Sequence, residues 1–235
     1  MVPLPLHDHI RRQSVAIITF LLIAANVLVF LAELRLRAQI DEVVFYLGII
    51  PARYTVPHIT LHETAWGLII PLFASMFLHG GWLHLGGNML FLFVFGRSIE
   101  DRFGHLRFLL IYFLGGLAGA LLHIVLNAGS RVPSIGASGA IAGVLGAYFI
   151  SYPRARITTL IPLLFFFWTF EVPALLLLGY WFLLQFLSGY QMQSIQTATQ
   201  GGVAWWAHVG GFLFGLGLAL ILRPKRRRVL EVTPM

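Results

Sequence analysis

Long apolar runs without charge, separated by short polar clusters, dominate the chain from Ser14 onward. A helix that crosses a bilayer needs about 20 predominantly apolar residues. The spacing of charges predicts six spans: Ser14 to Ala32, about Leu83 to Gly96 within the uncharged interval 64–96, Phe108 to about Asn127, Ser138 to Pro153, Val172 to Gly189 and Val203 to Leu222. The last two share one interval between Glu171 and Arg223, which the polar run Gln191 to Gly202 divides. Ile157 to Phe170 is apolar but only 14 residues long, and reads as an interfacial or re-entrant piece. The expected fold class is therefore all-α, a polytopic membrane protein built as a six-helix bundle. The expected organisation is an N-terminal segment 1–13, a transmembrane domain 14–222 with a long outer loop 35–78, and a basic tail 223–235. That loop, with Pro51, Pro57, Pro71 and Trp66, is too long for a simple connector and reads as a structured, partly embedded piece.

Composition agrees with a bilayer protein. Hydrophobic residues make up 58% of the chain and charged residues 11%, with mean hydropathy +0.84, far too apolar for a soluble domain of 235 residues. With six spans, twelve of the sixteen Lys and Arg residues fall on the side of both termini, which the positive-inside rule makes cytoplasmic. The other four are Arg35, Arg37, Arg53 and Arg131, three of them in a long loop that translocates largely regardless of charge. The net charge of +7 is thereby explained by topology and by the tail Lys225 to Arg228, which fits anionic lipid headgroups. No soluble basic module with interleaved aromatics supports a nucleic-acid partner. Ser14 to Ala32 reads as a retained first helix and not as a cleavable signal. The absence of cysteine excludes disulfides, thiolate metal sites and a cysteine nucleophile. The compact six-span form points to a prokaryotic plasma membrane.

Polar groups at membrane depth cost several kcal/mol by most estimates and are rare there without a role. Ser138 opens one span in the run Ile135-Gly136-Ala137-Ser138-Gly139-Ala140, and His208 sits in another in Ala207-His208-Val209-Gly210-Gly211. One is a nucleophile type and the other a base type. A third cluster, His79-Gly80-Gly81-Trp82-Leu83-His84 followed by Asn88, stands at the start of the second span. His84 and Asn88 are four apart and share a helical face, whereas His79 reads as a loop-packing residue before the helix. Gly139-x3-Gly143 and Gly211-x3-Gly215 are small-residue faces that let two helices approach closely, as a Ser138–His208 hydrogen bond requires. Gly143, Gly146, Gly215 and Gly217 are assigned to packing alone.

In order, His79-x4-His84-x3-Asn88, Gly96-x3-Glu100-x3-Gly104, Gly136-Ala137-Ser138-Gly139 and Ala207-His208-x2-Gly211 resemble the rhomboid family of intramembrane serine proteases. The likeness covers nearly the whole six-span region, so the bundle is expected to be rhomboid-like. It implies Ser138 as nucleophile, His208 as base, and His84 and Asn88 as oxyanion donors beside the Ser138 backbone N–H. His79, Gly136, Gly139, Gly211 and Glu100 take supporting roles, Glu100 as a helix-end or ion-pair residue. Two family features are absent: Ile69-Ile70-Pro71-Leu72 stands where many members carry Trp-Arg, and Ala142 stands where some carry a tyrosine that stacks on the histidine. The second departure leaves the orientation of His208 to groups such as Trp205 or Trp206.

Chemistry points the same way as the likeness. Serine needs a base within hydrogen-bond reach, and a third group often orients that base. Beyond Asp101 the remaining carboxylates are Glu171 and Glu231, both expected on the inner side, so a Ser-His dyad is expected in place of a triad. No cofactor and no metal are expected, because no H-E-x2-H pair is present. The expected partners are transmembrane protein substrates that arrive laterally, past the fifth span and the polar run Gln191 to Gly202. The competing class is a non-catalytic rhomboid-like protein that binds and escorts transmembrane helices.

Overall fold

The computed structural model describes residues 4–163, 166–195 and 203–222. The basic tail 223–235, with its expected headgroup contact, and residues 196–202 of the polar run lie outside the described residues. In chain order the main elements are β1 (Leu4–Asp8), α1 (Ile17–Arg35), α2 (Ile40–Leu47), α3 (Ala65–Ala74), α4 (Trp82–Phe103, with a π turn at Leu92–Gly96), α5 (His105–Leu126), α6 (Ser138–Ser151), β2 (Arg156–Leu163), β3 (Phe166–Pro173), α7 (Ala174–Ile195) and α8 (Trp205–Ile221).

The chain is mostly helical, and several of its helices are apolar enough to cross a membrane. α1, α5 and the first 18 residues of α7 meet the length and hydropathy of a full span by themselves. Ala65–Phe77 and Trp82–Phe103 meet it together, bent by 81° at the break between them. The second helix thus runs seven residues beyond the expected Gly96, through a charged end that hydropathy alone excludes. α6 and α8, at 14 and 17 residues, are shorter than a bilayer crossing. Gly104, at φ +82, permits the left-handed turn that sends the chain from α4 into α5.

The apolar piece Ile157 to Phe170, expected to be interfacial or re-entrant, forms the antiparallel hairpin β2–β3, and β1 adds a third strand in the order β1-β2-β3. Ile157, Thr158 and Thr159 favour a strand, and pairing satisfies backbone groups that apolar surroundings would leave costly. Ile157 and Thr159 are fully buried. Leu4–Asp8 of the N-terminal segment is therefore a strand of this sheet, registered with Leu4 opposite Leu160 and Asp8 opposite Ile157.

α5, α6 and α8 form the centre of the bundle, and glycine sets their separation. A Cβ on Gly215 would collide with the Gly143 carbonyl oxygen, one on Gly146 with the Phe212 carbonyl oxygen, and one on Gly211 with the Gly139 carbonyl oxygen. Gly143 also faces α5, where a Cβ would stand 3.0 Å from Gly115 Cα. Among the described residues a Cβ on Gly217 would meet nothing within 4 Å, so its assignment to packing finds no partner there.

The end of the bundle away from α6's first turn is closed by buried carboxylates. Glu100 accepts from Ile18 N at 2.8 Å, Thr19 N at 2.7 Å and the Thr19 hydroxyl at 2.6 Å, and its Oε1 also lies 2.6 Å from His105 Nδ1. It caps the first turn of α1, whose N–H groups have no acceptor within the helix. Asp101 accepts from Gln13 N, Ser14 N and the Ser14 hydroxyl. Asp8 is bonded to Arg12, Ser98 and Tyr148. Glu100→Ala should lower folding stability by about 2–4 kcal/mol, because two helix-end N–H groups lose a charged acceptor. Thermal unfolding in detergent micelles measures it, and an unchanged midpoint would contradict the capping role.

Candidate active site

α4, α6 and α8 begin at one end of the bundle, and α7, running the opposite way, ends there. This arrangement collects the polar side chains. Ser138 is the first residue of α6, so the first N–H groups of that helix lack intrahelical acceptors and its positive dipole end lies at the hydroxyl. His208 lies in the first turn of α8, 6% exposed. The close approach set by Gly139, Gly143, Gly211 and Gly215 brings His208 Nε2 to 2.7 Å from Ser138 Oγ. The hydroxyl donates and the imidazole accepts.

The other ring nitrogen has a partner that sequence reasoning missed. His208 Nδ1 lies 2.6 Å from Gln185 Oε1, on α7. Since Nε2 accepts from the serine, Nδ1 carries the proton and the amide must present its oxygen. Trp181, one turn earlier on α7, sets its ring 5.7 Å from the imidazole at 35°, while Trp205 meets the imidazole edge-on at 6.3 Å. Trp206 packs on Phe186 and against Gly189. The available signal was a lone amide in the apolar run Val172 to Gly189, costly at that depth without a partner.

His84 and Asn88 face the loop before the serine. Gly136, at φ +128, has its open Cβ position 2.7 Å from His84 Nε2 and 3.7 Å from Asn88 Nδ2, so any side chain there would be both strained and blocked. Its N–H donates to the Ser75 carbonyl at 2.8 Å, which pins the loop to the end of the α3 segment. His84 Nδ1 accepts from Gly80 N at 3.4 Å, leaving Nε2 as the protonated nitrogen that points at the loop. Asn88 Nδ2 is buried and meets no acceptor among the described residues. Two N–H groups thus converge on the Gly136 position, two residues before Ser138.

His79 sits behind this pair. It is 3% exposed, its ring lies 5.1 Å from that of His84, and its Nδ1–H donates to the Phe77 carbonyl at 3.1 Å. Its backbone N–H reaches both carboxylate oxygens of Glu33, at 3.2 and 3.3 Å. Glu33, near the end of α1, is a carboxylate at the site end that the sequence reading overlooked. It serves the His79 backbone, and the group against His208 is the amide of Gln185. Gly139 and Gly211 lie where α6 and α8 touch, and Glu100 lies at the far end of α4, bonded to α1 and His105. A cavity beside the serine is walled by Ser75, Met76, Gly136, Ser138, Ala204 and Ala207. Among the described residues, no three His, Asp or Glu are grouped to hold a metal.

Comparison with known proteins follows the same line. The rhomboid domain family matches residues 63–225, which contain every one of these polar residues except Glu33. The chain is a member of the rhomboid family and an integral membrane protein. It is 33% identical to RHOMBOID-like protein 5 of Arabidopsis thaliana over 66% of this chain and 45% of that protein. It is 34% identical to Rhomboid protein 1, mitochondrial, of Saccharomyces cerevisiae over 63% and 40% respectively. Over 35% of the chain and 15% of the relative, it is 44% identical to Rhomboid protease GluP of Bacillus subtilis. The chain spans less than half the length of these relatives. They come from a plant, a mitochondrion and a bacterium, and so do not select the prokaryotic plasma membrane expected from the sequence.

Proposed function

We propose that the chain is an intramembrane serine endopeptidase that cleaves transmembrane segments of other membrane proteins. The observation that carries this reading is the 2.7 Å contact between Ser138 Oγ and His208 Nε2. In the reaction, Ser138 Oγ attacks the scissile carbonyl carbon and its proton passes to His208 Nε2. The carbonyl oxygen becomes an oxyanion held by His84 Nε2–H, Asn88 Nδ2–H and the Ser138 N–H. His208 then gives the proton to the leaving amine as the C–N bond breaks. Water, deprotonated by the same nitrogen, hydrolyses the acyl ester and returns the proton to Ser138.

Two features support oxyanion duty for the second-span pair. The buried Asn88 amide has an N–H left over, and donors fixed before the reaction need no reorganisation during it. Asn88→Ala is expected to lower kcat about 10²–10³-fold with little change in KM, as loss of one such donor does in soluble proteases. Steady-state rates on a reporter transmembrane substrate measure the split; a rise in KM alone would move Asn88 to substrate binding.

The distribution of Lys and Arg orients the site toward the outer side. A helical substrate has its carbonyls already hydrogen-bonded, so cleavage needs local unwinding and favours segments with Gly, Pro or small residues. The test is cleavage of such a reporter by purified protein in liposomes, with Ser138→Ala and His208→Ala alongside. Cleavage by the wild type alone, unaffected by EDTA, is the expected result. Equal behaviour of all three would leave the non-catalytic, helix-binding reading in its place.

A further inference from the structure

We infer that Gln185 is a positioning residue for His208, and that its place on α7 ties the competence of the base to the seating of that helix; this rests on the protease reading above. An imidazole that must accept from serine through Nε2 has to keep its proton on Nδ1. Something must also hold the ring in plane. In a Ser-His-Asp triad a carboxylate does both. Here the acceptor at 2.6 Å is the Gln185 amide oxygen, 4% exposed and shut away from water.

The surroundings are built for that contact. Trp181, Gln185 and Gly189 recur every four residues and form one face of α7. Trp181 covers the imidazole and also lies 6.2 Å from Phe212. Gly189 leaves room for α8, since a Cβ there would stand 3.1 Å from the Trp206 ring and 3.3 Å from Trp205 Cβ. On the opposite face of α7, Leu176, Leu183 and Leu187 are half exposed or more among the described residues. α7 is thus held to the bundle mainly along the face that carries Gln185.

A coupling follows. The bond at 2.6 Å passes beyond hydrogen-bonding range if α7 moves away from α8 by about 1 Å. A substrate that arrives by displacing α7 therefore meets a base without its orienting partner, and chemistry waits until α7 has settled back. An amide also gives the geometry of a triad without placing a negative charge in apolar surroundings, where an ion would be costly. That fits a site end whose carboxylate Glu33 is engaged with the His79 backbone.

The experiment compares Gln185→Leu, close in size but without an acceptor, with Gln185→Glu, which keeps an oxygen at the same reach. Rates are taken on the reporter substrate beside wild type and Ser138→Ala. Gln185→Leu should lower kcat roughly ten- to a hundredfold with KM within about twofold, and Gln185→Glu should restore most of the loss. A second measurement needs no turnover. In the Ser138→Ala background, with 15N-labelled histidine, the signal that His208→Ala removes should report a proton fixed on Nδ1, and Gln185→Leu should let it exchange between the nitrogens. Full activity of Gln185→Leu, or equal losses in both variants with an unchanged histidine signal, would overturn the inference while the protease reading stood. Wild type no better than Ser138→Ala would instead remove the reading beneath it.

Discussion

Ser138→Ala should reduce cleavage by about 10⁴–10⁶-fold, and the double variant with His208→Ala should be no slower than either single one. In the proposed mechanism nucleophile and base act as one unit: without the hydroxyl there is no proton for His208 to take, and without the imidazole the hydroxyl is a poor nucleophile. Their losses therefore overlap instead of multiplying. What remains comes from the His84 and Asn88 donors and from substrate binding, which the substitutions leave alone. The measurement is initial rate on one substrate for the four proteins, each checked for an unchanged unfolding midpoint. Losses that multiplied in the double variant would mean that the two residues contribute separately, against the 2.7 Å contact.

Gly146→Ala is expected to be strongly disruptive for a one-carbon change. A methyl group there would run into the Phe212 carbonyl oxygen and stand 2.9 Å from Leu216 N, both backbone atoms of α8 that no rotamer change can move. The helices must separate, at a cost of about 1–3 kcal/mol or more. The hinge of consequence is at the site, since separation of α6 from α8 lengthens the Ser138–His208 bond. Activity should fall along with the unfolding midpoint in micelles. Gly217→Ala is the matched control, because its Cβ would meet nothing within 4 Å among the described residues. It should leave rate and midpoint nearly unchanged. Equal effects at the two positions would show that helix propensity, and not close approach, governs both.

Much of the site could be read from the chain because apolar surroundings make polar residues conspicuous. Ser138, His208, His84 and Asn88 stand out against runs of Leu, Ala and Gly, and the structure brings all four to the loop at Gly136. Gln185 stands out by the same criterion, but a lone amide in an apolar helix does not announce which residue it bonds. Glu33 was missed for a different reason. It closes an apolar run and looked like a mere span boundary, although its side chain is buried against the His79 backbone.

The fold was legible where helical length and hydropathy suffice and illegible where pairing is distant. Nothing local in Leu4 to Asp8 announces a strand, because its partner lies about 150 residues away in β2. Ile157 to Phe170 likewise has the hydropathy of a membrane piece, and only its β-branched residues hint at a strand. The bend between α3 and α4 was hidden by an uncharged interval that hydropathy cannot subdivide. Gly217 shows the limit of grouping small residues together: two positions past Gly215, it lies on a different face of α8 from Gly211 and Gly215.

The pairing of β1 with β2 also orders events during biosynthesis. At ordinary translation rates the ribosome delivers β2 roughly 8 to 30 s after β1. Until then the first strand must wait, without its partner in the sheet, while the intervening helices enter the bilayer. Closure of the sheet is thus a late event that reports on everything inserted before it. A nascent chain whose fourth or fifth element went astray would present a free edge strand and an unburied aspartate, the kind of signal by which quality control recognises an unfinished membrane protein.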